Sequence, residues 1–242
     1  MTKRTGWRRI FSVGVCMVLA LLLGGPGRAS AANVLLLSTG APAEDTAIQS
    51  TLQGLGHTVD IGPQYPTFDG SNLSNYDAVL LVPNYNYTSG DMPAAGQTAL
   101  LAFVNGGGGL VTGEWCVWKE VAHGSFMMLR DAVPVVPTNL FRGGGATYTA
   151  DTPDDILNQG VDSAFMFPAD NYAGTETLFA PKDGATVFYD SDYQAGAAGV
   201  IGWRYGSGGV ISFSTIIGPM ELGNANYSQL LANAVTWVTT PQ

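Results

Sequence analysis

Short apolar runs recur along the chain, each closed by glycine, proline or asparagine, and they alternate with stretches whose apolar positions repeat at helical spacing. Residues 33–38 are the first predicted strand, 46–55 a helix stopped at Gly56, and 58–61 a second strand. A turn-rich link through Pro63, Pro66, Asp69, Gly70 and Asn72 follows. The segment 78–118 is the most informative. Residues 78–82 form an apolar run of the kind buried on both faces of a parallel sheet, and 84–91 form a polar, aromatic loop. Asp91 is placed to cap the next helix and Pro93 to occupy its first turn, where a missing N–H costs nothing. Ala94, Leu100, Leu101, Phe103 and Val104 supply its apolar stripe, and Gly106 to Gly109 stop it. Leu110 and Val111 re-enter the sheet, so that Thr112 to Cys116 fall at its carboxyl edge, where open α/β sheets place their sites.

Beyond this βαβ unit, residues 118–130 are predicted to continue as a helix with Met127, Met128 and Leu129 inward, and Pro134 and Pro137 follow it. Residues 138–185 are the least regular: 147–150 suit a strand, and 153–160 a short helical turn before an extended Phe165-Met166-Phe167. Strands are predicted at 186–189, 199–203 and 209–213, the last two joined by a tight hairpin turn at 205–208. The closing helix, 226–238, buries Tyr227, Leu230, Leu231, Ala234, Val235 and Trp237. There is no internal repeat, and the 32 glycines cluster at turns. The expected architecture is α/β: a three-layer, flavodoxin-like, doubly wound and mostly parallel sheet with an antiparallel C-terminal hairpin.

Residues 1–31 have the form of a secretory signal, with Lys3, Arg4, Arg8 and Arg9 before an apolar core at 13–23 and a small-residue cleavage site at Ala29-Ser30-Ala31. Gly24-Gly25-Pro26 ends that core too early for a spanning helix, although retention as an anchor is the alternative to cleavage. Removing 31 of the 242 residues leaves 211, enough for one domain over 32–242. The leader carries five of the ten basic residues and none of the nineteen acidic ones, so the remainder holds five against nineteen, a net charge near −14. That balance excludes a nucleic-acid partner, because nothing could neutralise a run of phosphates. The expected location is secreted, periplasmic or cell-surface, with no membrane association once the signal is removed. Cys16 leaves with the leader, so Cys116 stands alone and no intramolecular disulfide forms.

The chain resembles the class I glutamine amidotransferase-like superfamily, and within it the secreted branch similar to trehalose-utilisation proteins. The likeness rests on AVLLVPNYNY at 78–87, on GGGGLVTGEW at 106–115, and on GWRYGSGGVISFSTIIGP at 202–219 followed by YSQLLANAVTWV at 227–238. In such amidotransferases a cysteine on the strand-to-helix elbow attacks an amide, helped by a histidine and a glutamate, and the resemblance places Cys116 on that elbow. It does not supply the partners. His57 lies at the amino edge of the sheet. His123 lies seven residues past Cys116, about 10 Å along the same helix at roughly 1.5 Å per residue. Related domains tend to carry a histidine after the last strand, where this chain has Thr215-Ile216-Ile217-Gly218-Pro219. The elbow Gly113-Glu114-Trp115-Cys116-Val117 also puts bulky residues where G-x-C-x-G has small ones, so glutamine hydrolysis is not expected.

Glu114 and Cys116 are the catalytic candidates. Cys116 is a nucleophile or a small semi-buried hydrophobe; Glu114 is an acid or ligand contact, or a carboxylate capping its own helix. Asn84, Tyr85, Asn86 and Trp115 are the ligand-binding candidates, joined at the same rim by Tyr87, Ser89, Asp91 and Trp118, since amides, tyrosines, carboxylates and indoles grip sugar hydroxyls and ring faces. A solvated loop is the plain alternative. Asp190-Ser191-Asp192 and the run 151–155 complete no calcium loop and suit solvated turns. Gly106 to Gly109 and Gly143 to Gly145 are too short and misplaced for phosphate cradles. Lys119 and Arg204 are placed to pair with Glu114 or a rim aspartate, or to sit on the surface. No metal and no cofactor is expected. The functional expectation is an exported domain, lacking a complete Cys-His-Glu triad, that binds carbohydrate or another polar small molecule or glycan; the alternative is an amide- or carbohydrate-processing hydrolase using Glu114 and Cys116.

Overall fold

The structure is a computed structural model and describes residues 31–168 and 176–241. Of the expected signal, 1–31, all but Ala31 lies outside the described residues. In chain order the elements are β1 (Asn33–Ser38), α1 (Pro42–Gly54), β2 (Thr58–Gln64), β3 (Ala78–Leu81), α2 (Ala94–Asn105), β4 (Gly109–Thr112), α3 (Glu114–His123), β5 (Phe141–Arg142) and β6 (Ala146–Ala150). There follow β7 (Ala164–Phe167), β8 (Glu176–Thr177), β9 (Thr186–Ser191), β10 (Ala198–Tyr205), β11 (Gly208–Phe213), α4 (Pro219–Leu222) and α5 (Ala225–Thr239).

Nine strands form one sheet in the order β2-β1-β3-β4-β11-β10-β9-β6-β7. The neighbours from β2 to β11 run parallel, and the expected hairpin of β10 and β11 then reverses direction, with Trp203 opposite Val210. From there β9, β6 and β7 extend the sheet antiparallel. β5 and β8 pair separately. Alternation along β1 shows why its run is apolar throughout: Val34 and Leu36 pack with Ile48 and Leu52 of α1 and with α5, while Leu35 and Leu37 pack with Leu100 and Val104 of α2. The sheet is the middle layer of three. α5 crosses β4 and β11 so closely that a Cβ on Gly109 would lie 2.5 Å from Val238 Cγ2, and one on Gly209 2.7 Å from Val238 Cα. Glycine at both positions is a packing requirement. Among the described residues no helix is long and apolar enough to cross a membrane.

Three local expectations need correction. The helix behind the elbow spans Glu114–His123 rather than 118–130, because it starts as soon as β4 ends and stops at Gly124, which takes a left-handed φ of 63°. Met127 and Met128 consequently face outward, and only Leu129 turns into the core. Asp91 does not cap α2. The N-cap position is Pro93, and Asp91 Oδ1 accepts instead from the backbone N–H groups of Met92 at 2.7 Å and Phe126 at 2.9 Å, clamping the loop to the segment after α3. Residues 153–160 form turns without a regular helix.

Candidate functional site at the carboxyl edge

β4 ends at Thr112, Gly113 is extended, and α3 begins at Glu114, whose N–H donates to Thr215 O just beyond β11 at 3.2 Å. The Glu114 side chain turns inward and is 1 % exposed. Its Oε2 accepts from Thr177 Oγ1 at 2.7 Å, and its Oε1 has no hydrogen-bond partner among the described residues. The carboxyl therefore does not cap its helix. Burial pushes its pKa well above the usual carboxylate range, the Thr177 hydrogen bond opposes this, and the nearby Glu176 and Glu221 add to it.

β8 brings the partners. Glu176 bridges to Thr215, and Thr177 N donates to Ser214 O at 2.9 Å, so two residues from the irregular half of the chain dock onto the end of β11. Glu176 Oε1 accepts from Ser191 Oγ and, at 2.8 Å, from Ser214 Oγ. Its Oε2 accepts from Arg142 Nε at 2.7 Å and lies 2.6 Å from Nη2. Arg142 also pairs with Asp192 and lies over the Tyr193 ring, 5.1 Å from its centroid. Burial raises the Glu176 pKa, against its hydroxyl and guanidinium partners. Beneath them, Tyr148 OH meets Ser214 Oγ at 3.0 Å and Thr215 Oγ1 at 3.1 Å, and Tyr227 OH meets Thr215 Oγ1 at 2.9 Å. Glu221 is fully buried at the start of the short α4.

An aromatic wall adjoins this polar centre. Tyr87 stacks on Trp115 at 4.5 Å between centroids, and Trp118 meets Trp115 edge-on at 4.9 Å. Trp118 also touches His123 at 5.2 Å and Phe141 at 6.5 Å. Phe141, 46 % exposed, precedes Arg142 on β5, so the wall and the carboxyl–guanidinium centre draw on consecutive residues whose side chains leave the strand on opposite faces. Tyr85 is 62 % exposed at the rim.

Asn84 and Asn86 lie elsewhere than a ligand rim requires, for both are buried ties. Asn84 Nδ2 donates to Glu44 Oε2 at 3.2 Å and to Ile217 O at 2.9 Å; Asn86 Nδ2 donates to Ser38 O at 3.0 Å and Gln64 Oε1 at 3.2 Å. Lys119 neither pairs with Glu114 nor reaches the surface: it is buried, and its Nζ donates to Tyr87 O and Ser89 O, both at 2.8 Å. These three residues shape the loop that presents Tyr85 and Tyr87.

Cys116 turns the other way, into the apolar cluster of Tyr65, Leu100, Phe126 and Leu129. Burial pushes its thiol strongly up, Glu120 and Asp91 add to this, and Lys119 offsets part of it. Neither imidazole serves it. His57, at the amino edge, accepts from Ala32 N through Nδ1 at 3.3 Å and sets Nε2 3.1 Å from Ala232 O, while His123 lies against Trp118. Among the described residues no group of three or more His, Cys, Asp or Glu side chains could hold a metal ion.

Arg142, Glu176, Thr177, Ser191 and Ser214 were not singled out by the sequence. The signals available were slight: Ser214 and Thr215 directly follow a predicted strand, and Arg142 is one of five cations after residue 31. Asp190-Ser191-Asp192, expected as a solvated turn, instead gives Ser191 to Glu176 and Asp192 to Arg142. Arg204 stacks on Trp237 rather than meeting a rim aspartate.

No protein-family profile and no curated protein matches the sequence. Solved structures do share the fold. A cytoplasmic protein from Salmonella typhimurium superposes with a TM-score of 0.63 at 15 % identity, over 86 % of this chain and 98 % of that one. A ThuA-like protein from Bacteroides uniformis superposes at 0.60 with 14 % identity, over 85 % and 90 % of the two chains. A GMP synthase-like protein from Thermoplasma acidophilum gives 0.55 at 12 % identity, over 85 % and 93 %. The chain thus has a mixed three-layer α/β fold consistent with the glutamine amidotransferase-like class; at these identities the likeness concerns the fold alone.

Proposed function

We propose that this chain is an exported, single-domain, flavodoxin-like relative of the trehalose-utilisation branch of the amidotransferase-like proteins, and that it binds carbohydrate or another polar small molecule at the carboxyl edge of its sheet without thiol chemistry. The observation that carries the reading is that one edge of the sheet holds both an aromatic cluster, Tyr87, Trp115, Trp118 and the half-exposed Phe141, and a charged centre in which Arg142 pairs with the buried Glu176. A sugar ring has an apolar face and a hydroxylated edge, and stacking the face on indole and phenyl rings leaves the edge to charged and hydroxyl groups. Tyr85 is exposed on the 84–91 loop, and the Tyr193 ring lies against Arg142. A second reading, hydrolysis with Glu114 as general acid, is favoured by one feature: burial shifts the Glu114 carboxyl toward its protonated form, the form that donates. The turned-away Cys116 gives it no assistance.

Glycan-array screening followed by calorimetry of the best binder separates the two. Binding without turnover is expected, weakened about tenfold or more by Trp118→Ala through loss of a stacking face. Turnover abolished in Glu114→Gln establishes the hydrolase instead. Binding that Trp118→Ala and Tyr85→Ala both leave unchanged places the ligand elsewhere and ends the proposal.

A further inference from the structure

A cavity of about 500 Å³ opens at the amino side of the sheet, between β9, β10, the 152–154 turn and α5. Thr186 and Phe188 of β9 share its face with Gly202 and Arg204 of β10, as strand alternation requires, and Gly202 sits opposite Thr186 in the ladder. Trp237 of α5 closes one side.

Arg204 is held here by two contacts. Its guanidinium lies flat over Trp237, 3.9 Å from the ring centroid, and its Nη1 donates to Thr240 O at 3.0 Å. The indole is itself fixed, since Trp237 Nε1 donates to Asp154 Oδ2 at 3.1 Å while Asp154 Oδ1 accepts from the backbone N–H groups of Ile156 and Leu157, both at 2.9 Å. The remaining edge, Nε and Nη2, is buried and has no hydrogen-bond partner among the described residues. Those two nitrogens form the side of a guanidinium that grips a carboxylate with two parallel hydrogen bonds. Leaving two buried donors unpaired is unfavourable, and a chain with few cations has placed one in that position beside a cavity.

We infer that this cavity binds a monoanionic carboxylate carried on an apolar or aromatic body, gripped by Nε and Nη2 of Arg204. The body suits the walls, for the rings of Phe188 and Trp237 line the space, while the Trp203 indole turns to the other face of the sheet, where its Nε1 donates to Ala132 O. The single charge suits the surroundings: the Asp154 carboxylate lies within Coulombic range of Arg204, and the net charge near −14 of the chain beyond residue 31 opposes a dianion more than a monoanion. Both nitrogens are covered in the empty protein, so engagement requires the guanidinium to move, and the Arg204 Nε–Hε resonance reports that movement. The site stands apart from the carboxyl-edge rim and does not depend on its assignment.

Benzoate, acetate and phosphate, titrated into the full chain at constant ionic strength with chloride as reference, test this. The readouts are the Arg204 Nε–Hε resonance and Trp237 indole fluorescence. Saturable shifts of both are expected with benzoate, weaker ones with acetate and the weakest with phosphate; Arg204→Lys, which keeps the charge and loses the fork, should weaken benzoate about tenfold or more. The wild-type resonance decides the matter even if the variant fails to fold. An unresponsive Arg204 resonance, a phosphate response equal to that of benzoate, or benzoate binding unchanged in Arg204→Lys overturns the inference.

Discussion

Lys119→Ala is expected to destabilise the fold by about 3–5 kcal/mol, read as a lower urea midpoint. The side chain has no exposed surface, and its ammonium is the donor for both Tyr87 O and Ser89 O. It also lies 5.4 Å from the Tyr65 ring centroid, a cation–π contact inside the apolar cluster. Truncation takes the ammonium from Tyr87 O and from Ser89 O, which keeps only a 3.4 Å hydrogen bond from Tyr65 OH, and leaves a void where the long stem packed. Lys119→Met, which refills the volume but not the hydrogen bonds, should recover part of the loss. A change below about 1 kcal/mol in the alanine variant would mean that the 84–91 loop holds its shape without this tie.

Cys116 is expected to resist alkylation by iodoacetamide in the native protein by roughly a thousandfold or more relative to the unfolded chain. Only thiolate reacts, burial pushes the thiol away from ionisation, and the residue is 2 % exposed in an apolar cluster, so modification must wait for opening of the fold. Mass spectrometry with and without denaturant measures the ratio. Native alkylation at the unfolded rate would restore the thiol as a reagent and revive hydrolase chemistry at the elbow.

The parallel half of the fold was legible in the sequence because each of its central strands is buried on both faces. The uninterrupted runs at Asn33–Ser38, Ala78–Leu81 and Gly109–Thr112 are one-dimensional records of that burial, and glycines mark the turns between elements. The elbow was legible for the same reason, since a strand that ends at Thr112 and gives way at once to a helix fixes what lies at the edge. Orientation was not. Nothing in Glu114-Trp115-Cys116 tells which side chain faces β8 and which the core beneath α2, and the outcome reverses the weight the family resemblance puts on the thiol. The partners of Glu114 were hidden more deeply. Thr177 lies 63 residues from it in sequence, and Arg142 meets Glu176 only through β5 and β8, strands of two residues each, too short to leave a periodic pattern. Asn84 and Asn86 misled for a physical reason: an asparagine in a loop gives the same sequence signal whether its amide faces a ligand or satisfies buried backbone, and here the two tie α1 and β1 to the loop.

Burial and surroundings favour the neutral form of the Glu114 carboxyl and disfavour a thiolate at Cys116. Carboxyl-carbon NMR of the protein across about pH 4 to 9, assigned with Glu114→Gln, measures this directly. A Glu114 signal that stays at the protonated position well above the ordinary glutamate range is the predicted result; one that titrates near the free-peptide value of about 4.3 contradicts it.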